Sequence, residues 1–138
     1  MSSAKGVQVT PDCVNAFQEL KLAKKIKYII YKISNDGKSI IVETKSKVTT
    51  YDEFLKHLPK SDCRWAVYDF DYKTSGGDRN KIVFYTWLPE AAATKSRMLY
   101  TSSKNALRKS LTGVGIEIQG TDYAEVSYST VLKSVARG

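Results

Sequence analysis

Histidine and cysteine are scarce in this 138-residue sequence, which contains one His and two Cys. A zinc site needs three or four such ligands, but His57, Cys13 and Cys63 show none of the usual close spacings. The two cysteines form no CxxC pattern, so we expect two reduced, partly buried thiols. No motif places either cysteine at a strand-to-helix elbow. The sequence therefore favours neither a metal site nor a Cys-His nucleophile.

Other signatures of catalysis are also missing. The spacing of Gly113, Gly115 and Gly120 does not fit GxGxxG, and no GK[ST] motif occurs. Asp69 and Asp71 alternate with aromatic residues, which places both carboxylates on one face of a strand. A solvated strand face explains them better than a pair of catalytic acids. We expect no catalytic residue, no cofactor and no enzymatic activity.

Long apolar runs are absent as well. The longest stretch without a charged residue covers residues 82–89, whereas a membrane-spanning helix needs about 20 apolar residues. Residues 1–6 lack the apolar segment of a secretory signal. With 42% hydrophobic and 26% charged residues, the composition fits one globular domain. We expect a single cytoplasmic domain over residues 1–138, with residues 1–6 as a flexible N-terminal tail.

Periodicity and turn signals predict the order αββαββαβα. Thr10 and Pro11 open the first helix, Asn35-Asp36-Gly37 marks a hairpin, and Thr50 with Glu53 forms a capping box. The predicted helices cover residues 11–23, 50–58, 90–112 and 122 or 128 to 137, and the predicted strands cover residues 28–33, 39–45, 64–73, 81–88 and 116–119. Hairpins interrupted by helices favour an α/β fold with a mixed sheet that is covered on both faces.

Acidic residues are in deficit, with 14 against 22 basic ones and a formal net charge of +8. The segment 91–112 has five bases and no acid: Lys95, Arg97, Lys104, Arg108 and Lys109. A helical wheel predicts a core side at Leu99, Ser103, Ala106 and Ser110. It also predicts a basic outer stripe at Arg97, Lys104 and Arg108. Because this stripe has no acid partners at i+4, we expect an acidic group to meet it from outside.

Two further basic groups stand out. Arg79 and Lys81 follow the loop glycines Gly76-Gly77, and Lys133 with Arg137 marks the last helix. An acidic protein surface, an anionic membrane surface or nucleic acid could each bind such groups. Nucleic acid is the least favoured partner, because the aromatic patterns of RNA-binding modules and a helix-turn-helix are both missing.

Several segments together resemble the actin-depolymerising factor/cofilin family, and they cover nearly the whole chain in order. They are Gly6-Val7, FQELKL at 17–22, LP at 58–59, DCRWAVYDF at 62–70, KIVF at 81–84 with Trp87 and Pro89, KSRMLYTSSK at 95–104 and QGTD at 119–122. The pattern is closest to the fungal, amoeboid and plant members.

The resemblance implies a mixed five- or six-stranded sheet between helices. It also implies a monomeric protein that binds actin monomers and filaments, prefers ADP-actin, severs filaments and promotes actin turnover. The implied location is the actin cytoskeleton, at patches or the cell cortex, with the nucleus left open. Two alternatives remain: a coactosin-like filament binder that does not sever, and a phosphoinositide-binding membrane adaptor.

The resemblance also implies roles for individual residues. Contacts with both monomers and filaments fall on Lys5, Gly6, Lys95, Arg97 and Met98. Filament-specific contacts fall on Arg79, Lys81, Lys133 and Arg137. Contacts with phosphoinositide head groups fall on Lys104, Arg108 and Lys109.

One position departs from the family pattern. Members commonly carry a serine directly before the glycine of the Gly-Val start, and its phosphorylation stops actin binding. Here Lys5 occupies that place, with Ser2 and Ser3 further out. We therefore expect the usual phosphorylation switch to be missing.

Overall fold

The computed structural model describes residues 6–48 and 50–137. Its strands are β1 (Gln8–Val9), β2 (Tyr28–Ile33), β3 (Ser39–Ser46), β4 (Arg64–Thr74), β5 (Gly77–Trp87) and β6 (Ile116–Gly120). Its helices are α1 (Pro11–Lys21), α2 (Tyr51–Leu55), α3 (Thr94–Ser110) and α4 (Tyr128–Arg137), with a 3-10 helix at Tyr123–Val126. The predicted α/β architecture with a mixed sheet is confirmed.

The six strands form one sheet in the order β1-β3-β2-β4-β5-β6. The four inner strands pair antiparallel, whereas β1 and β6 join the edges in parallel. Gly37, with φ of 76°, allows the tight turn between β2 and β3. The predicted hairpins are therefore confirmed, and β2 and β4 lie at the centre of the sheet.

Side chains on the two faces of the sheet build two separate cores. On one face, α1 and α3 cover Trp65, Val67 and Phe84. On the other face, α2, the 3-10 helix and α4 cover Tyr68 and Tyr85. These tyrosines directly follow Val67 and Phe84 in their strands and therefore point to the opposite side of the sheet. Both cysteines are buried and unbridged, as expected of thiols in the core.

The sequence did not predict β1, whose two residues are too few for a periodicity signal. Thr10 stands at the N-terminus of α1, as predicted, but its side chain makes no cap hydrogen bond. Instead its hydroxyl donates to the carbonyl of Ile40 at 2.9 Å. This bond ties the junction between β1 and α1 to β3.

Two further expectations about polar residues are wrong. The side chain of Thr50 makes no cap hydrogen bond, so no capping box forms at α2. Asp69 is buried rather than solvated. Its carboxylate accepts hydrogen bonds from Lys24 at 3.2 Å and Asn80 at 2.7 Å, which compensate the loss of water. Asp71, two residues on, is exposed. Among the described residues, no helix has the length and apolar character required to cross a membrane.

Candidate functional site

The orientation of α3 differs from the helical wheel. Its buried residues are Tyr100, Ser103 and Leu107. The ring of Tyr100 packs 4.5 Å from that of Trp65, and its hydroxyl accepts a 2.8 Å hydrogen bond from the amide of Ile33. These contacts fix the helix with Leu99 turned outward. The predicted core side is therefore wrong at Leu99 and Ala106, which are exposed, whereas Ser103 is buried and Ser110 is half-buried.

The outer face of α3 is partly apolar. Met98 is 67% exposed and Leu99 is 38% exposed, and Lys95 is also exposed one turn earlier. Two adjacent exposed apolar side chains beside a cation can serve as a contact for another protein. We call Lys95, Met98 and Leu99 the α3 face.

Arg97 lies at the margin of this face rather than on an outer stripe. The residue is half-buried, and its Nε atom is buried without a hydrogen-bond partner in the part of the chain that the structure describes. It also lies near Cys63, where burial raises the pKa of the thiol and the charge of Arg97 opposes that rise. The fold thus leaves this guanidinium incompletely paired, at an atom that solvent does not reach.

The two predicted N-terminal contacts are Lys5 and Gly6. Gly6 is exposed and lies two residues before β1, the edge strand that contacts α3. Lys5 lies outside the described residues.

Two of the three remaining bases of α3 meet an acid from within the same chain. Lys104 Nζ and Arg108 Nε donate to the two carboxylate oxygens of Glu117 on β6, at 3.0 and 2.8 Å. These hydrogen bonds hold the pKa of Glu117 below its usual range. The acid that meets Lys104 and Arg108 therefore comes from β6 of the same chain and not from outside as expected. Lys109, the third residue assigned to phosphoinositide contacts, is exposed.

The four residues assigned to filament contacts belong to β5 and α4. Every second position of this part of β5 is occupied by Arg79, Lys81 and Val83, so their side chains point to one face of the sheet. On that face Val83 lies in the core beneath α4. Lys81 Nζ donates to the carbonyl of Val135 in α4 at 3.3 Å. Lys133 and Arg137 are exposed on α4. The structure thus places all four on the sheet face that α4 covers, opposite the face covered by α3.

Sequence reasoning missed two residues of these surfaces. The helical wheel places Leu99 in the core. Tyr100 and Leu107, however, also repeat at a helical spacing, and this second pattern indicates the correct core side. Glu117 carried no such signal, because its partners precede it by 13 and 9 residues and meet it only through the packing of α3 beside β6.

Comparisons with known proteins show the family and the fold of this chain. The family model of cofilin/tropomyosin-type actin-binding proteins matches residues 6–136. Cofilin of Mycosarcoma maydis is 53% identical over 133 residues, which are 96% of each chain. The crystal structure of cofilin from Streptomyces griseoflavus superposes with a TM-score of 0.92 at 47% identity, and covers 96% of this chain and 99% of that one.

A more distant structure shares the fold alone. Coactosin from Entamoeba histolytica has a TM-score of 0.85 but 16% identity, over 96% of both chains. The match of residues 6–136 to the family model, together with the identity of about half to cofilin, decides the assignment. This chain belongs to the family of cofilin/tropomyosin-type actin-binding proteins.

Proposed function

We propose that this protein binds actin monomers and filaments, severs and depolymerises the filaments, and thereby promotes actin turnover in the cytoplasmic cytoskeleton. The observation that carries the proposal is the α3 face, where Met98 and Leu99 are exposed beside Lys95 in a chain about half identical to cofilins. Coactosin shares only the fold, so the sequence relationship favours severing over filament binding alone.

The contact with both monomers and filaments is assigned to Lys5, Gly6, Lys95, Arg97, Met98 and Leu99. In this proposal Met98 and Leu99 enter an apolar cleft of actin. Lys95 steers the approach to an acidic surface, since exposed charges affect association rates more than affinity. Arg97, half-buried at the margin of the α3 face, adds a second positive charge close to the contact.

Filament-specific contact is assigned to Arg79, Lys81, Lys133 and Arg137. These residues lie on the sheet face opposite α3, so they can approach a second actin subunit while the α3 face holds the first. This division explains how one domain without a catalytic residue could distinguish a filament from a monomer.

Severing then follows from differential binding. A ligand shifts a two-state equilibrium only by its preference for one state. If the protein binds a twisted, ADP-bound filament better than the untwisted form, decorated segments adopt the twisted form. Boundaries between decorated and bare segments become mismatched and break.

Phosphoinositide head groups are proposed as a competing ligand at Lys104, Arg108 and Lys109. Glu117 already neutralises part of that charge, so an anionic head group must compete with an internal carboxylate for two of the three bases. We expect binding that weakens with salt, because surface charges are screened over about 8 Å at physiological ionic strength.

The decisive experiment combines filament pelleting with imaging of single filaments. We expect filament mass to fall and free ends to multiply when the protein is added. Binding without new ends would favour a coactosin-like function. Binding to phosphoinositide vesicles but not to filaments would favour a membrane adaptor.

A matched pair of variants tests the surface itself. Replacing Lys95 and Arg97 with Ala should weaken binding to monomers and filaments alike. The same change at Lys56 and Lys60, two exposed lysines remote from α3 in sequence, should leave both affinities unchanged. Unaltered monomer affinity in a folded Lys95→Ala/Arg97→Ala variant would contradict the assignment.

A further inference from the structure

A groove of about 940 Å³ lies at the end of the sheet where the β4–β5 hairpin projects. Its walls come from the loop after α1, the projecting hairpin, and Tyr128 with Leu132 of α4. The basic side chains that line it outnumber the acidic ones by six to three. The six basic residues are Lys24, Lys25, Lys27, Lys47, Lys73 and Arg79.

The charges in the groove are unevenly matched. The carboxylates of Asp69 and Asp71 are paired with Lys24 and Lys27. Lys25 and Lys47 are both exposed and have no carboxylate partner within residues 6–48 and 50–137. The two paired carboxylates are therefore neutralised, and the unpaired lysines at the rim leave the groove with an excess of positive charge.

One edge of β4 is open inside this groove. Pairing of β4 with β2 ends at Tyr68 opposite Tyr28, whereas pairing with β5 continues to Thr74. The amide of Asp69 still donates to the carbonyl of Lys27 at 2.9 Å. Because alternate residues of a strand point their amides to the same side, Asp71 and Lys73 direct theirs into the space beyond the end of β2.

We infer that this edge receives an extended acidic segment of a protein partner, which adds to β4 as a short strand in line with β2. Backbone amides and carbonyls of β4 supply the hydrogen bonds, as in other strand additions. The rim lysines Lys25 and Lys47 select acidic side chains. A second copy of this chain is disfavoured as the occupant, because the rim is positive and the chain carries a net charge of +8.

This site is separate from the α3 face, because none of its lining residues belongs to α3. It shares Arg79 with the proposed filament contacts. A partner seated in the groove would therefore compete with filament binding and leave monomer binding intact.

A labelled peptide of about ten residues with alternating Glu and Val tests the inference by fluorescence anisotropy. The Lys25→Glu/Lys47→Glu variant should weaken binding by about tenfold, because it reverses the charges that select the partner. The Lys56→Glu/Lys60→Glu variant makes the same change outside the groove and should bind the peptide as the wild type does. Retained actin-monomer binding and an unchanged circular dichroism spectrum establish that both variants fold.

Amide hydrogen exchange distinguishes strand addition from simple charge attraction. The peptide should slow exchange at Lys73, and a peptide N-methylated at alternate residues should bind more weakly, because it cannot complete the hydrogen bonds. Equal loss of binding in the two charge-reversal variants would overturn the inference. So would unchanged exchange at Lys73 in the bound state, or a groove that takes inositol hexakisphosphate but no peptide.

Discussion

Arg108 Nε donates a 2.8 Å hydrogen bond to Glu117 Oε2, and thereby joins the last turns of α3 to the edge strand β6. Lys104 binds the other oxygen of the same carboxylate. Glu117 is thus an internal counter-ion on a surface proposed to bind phosphoinositides, and its removal should free two cations for an external anion.

We expect Glu117→Gln to raise affinity for phosphoinositide vesicles by about threefold to tenfold, because each surface ion pair is worth about 0.2–1 kcal/mol. Vesicle co-sedimentation at several salt concentrations measures this change. Glu90→Gln makes the same charge change at an exposed residue without an ion pair among the described residues and should have little effect. Equal gains in the two variants would mean that net charge alone is responsible.

Replacement of Met98 and Leu99 by Ala should weaken actin binding without loss of stability. Both side chains are exposed, so each substitution should change the free energy of unfolding by less than about 0.5 kcal/mol. A buried leucine would cost about 2–5 kcal/mol. Urea unfolding measures stability, and Leu22→Ala, at another exposed leucine, is the matched control for actin affinity. A strongly destabilised Leu99→Ala variant would place this residue in the core.

Arg79→Ala should reduce filament binding and severing while it spares monomer binding. Arg79 is preferable to Lys81 for this test, because Lys81 also donates to the carbonyl of Val135 and its loss could loosen the end of α4. Pelleting assays and monomer titration provide the two measurements. Parallel losses in both would contradict the separation into two actin surfaces.

Cys13 and Cys63 should resist alkylation in the folded protein. Burial raises the pKa of both thiols, and the reactive species is the thiolate. Mass spectrometry after treatment with iodoacetamide at neutral pH should show both cysteines largely unmodified, and both modified in urea. N-acetylcysteine in the same mixture controls for reagent activity. If a cysteine of the folded protein reacted as fast as N-acetylcysteine, the prediction would be wrong, because motion of the fold would then expose that thiol.

The N-terminal departure from the family pattern makes a further prediction. A phosphate brings about −1.5 to −2 charges, whereas Lys5 brings a positive charge to the segment proposed to approach actin. We expect Lys5→Glu to impair filament disassembly strongly and Ser3→Glu to impair it weakly. If Ser3→Glu abolished activity, the switch would be present at a shifted position.

Local signals in the sequence predict most of the strands and helices and the two-faced sheet. Periods of 2 and 3.6 residues, turn residues such as Asn35-Asp36-Gly37 and helix-opening residues such as Pro11 are local signals. They predicted the four α-helices and every strand of the described residues except β1. They did not separate the 3-10 helix at Tyr123–Val126 from the last helix, and they placed the start of β5 at residue 81 rather than at Gly77. The family segments are also local, and they suffice to identify the actin-binding family.

Packing establishes which charges are already paired. It also selects the outward side of α3 between two patterns that the sequence offers, one centred on Leu99 and one on Tyr100 and Leu107. The outward turn of Leu99 depends on Tyr100 packing against Trp65, a contact between distant parts of the chain. The pairing of Lys104 and Arg108 with Glu117, and of Lys24 with Asp69, likewise depends on distances that no local pattern encodes. Local propensity determines each element, but burial and ion pairing are properties of the packed molecule.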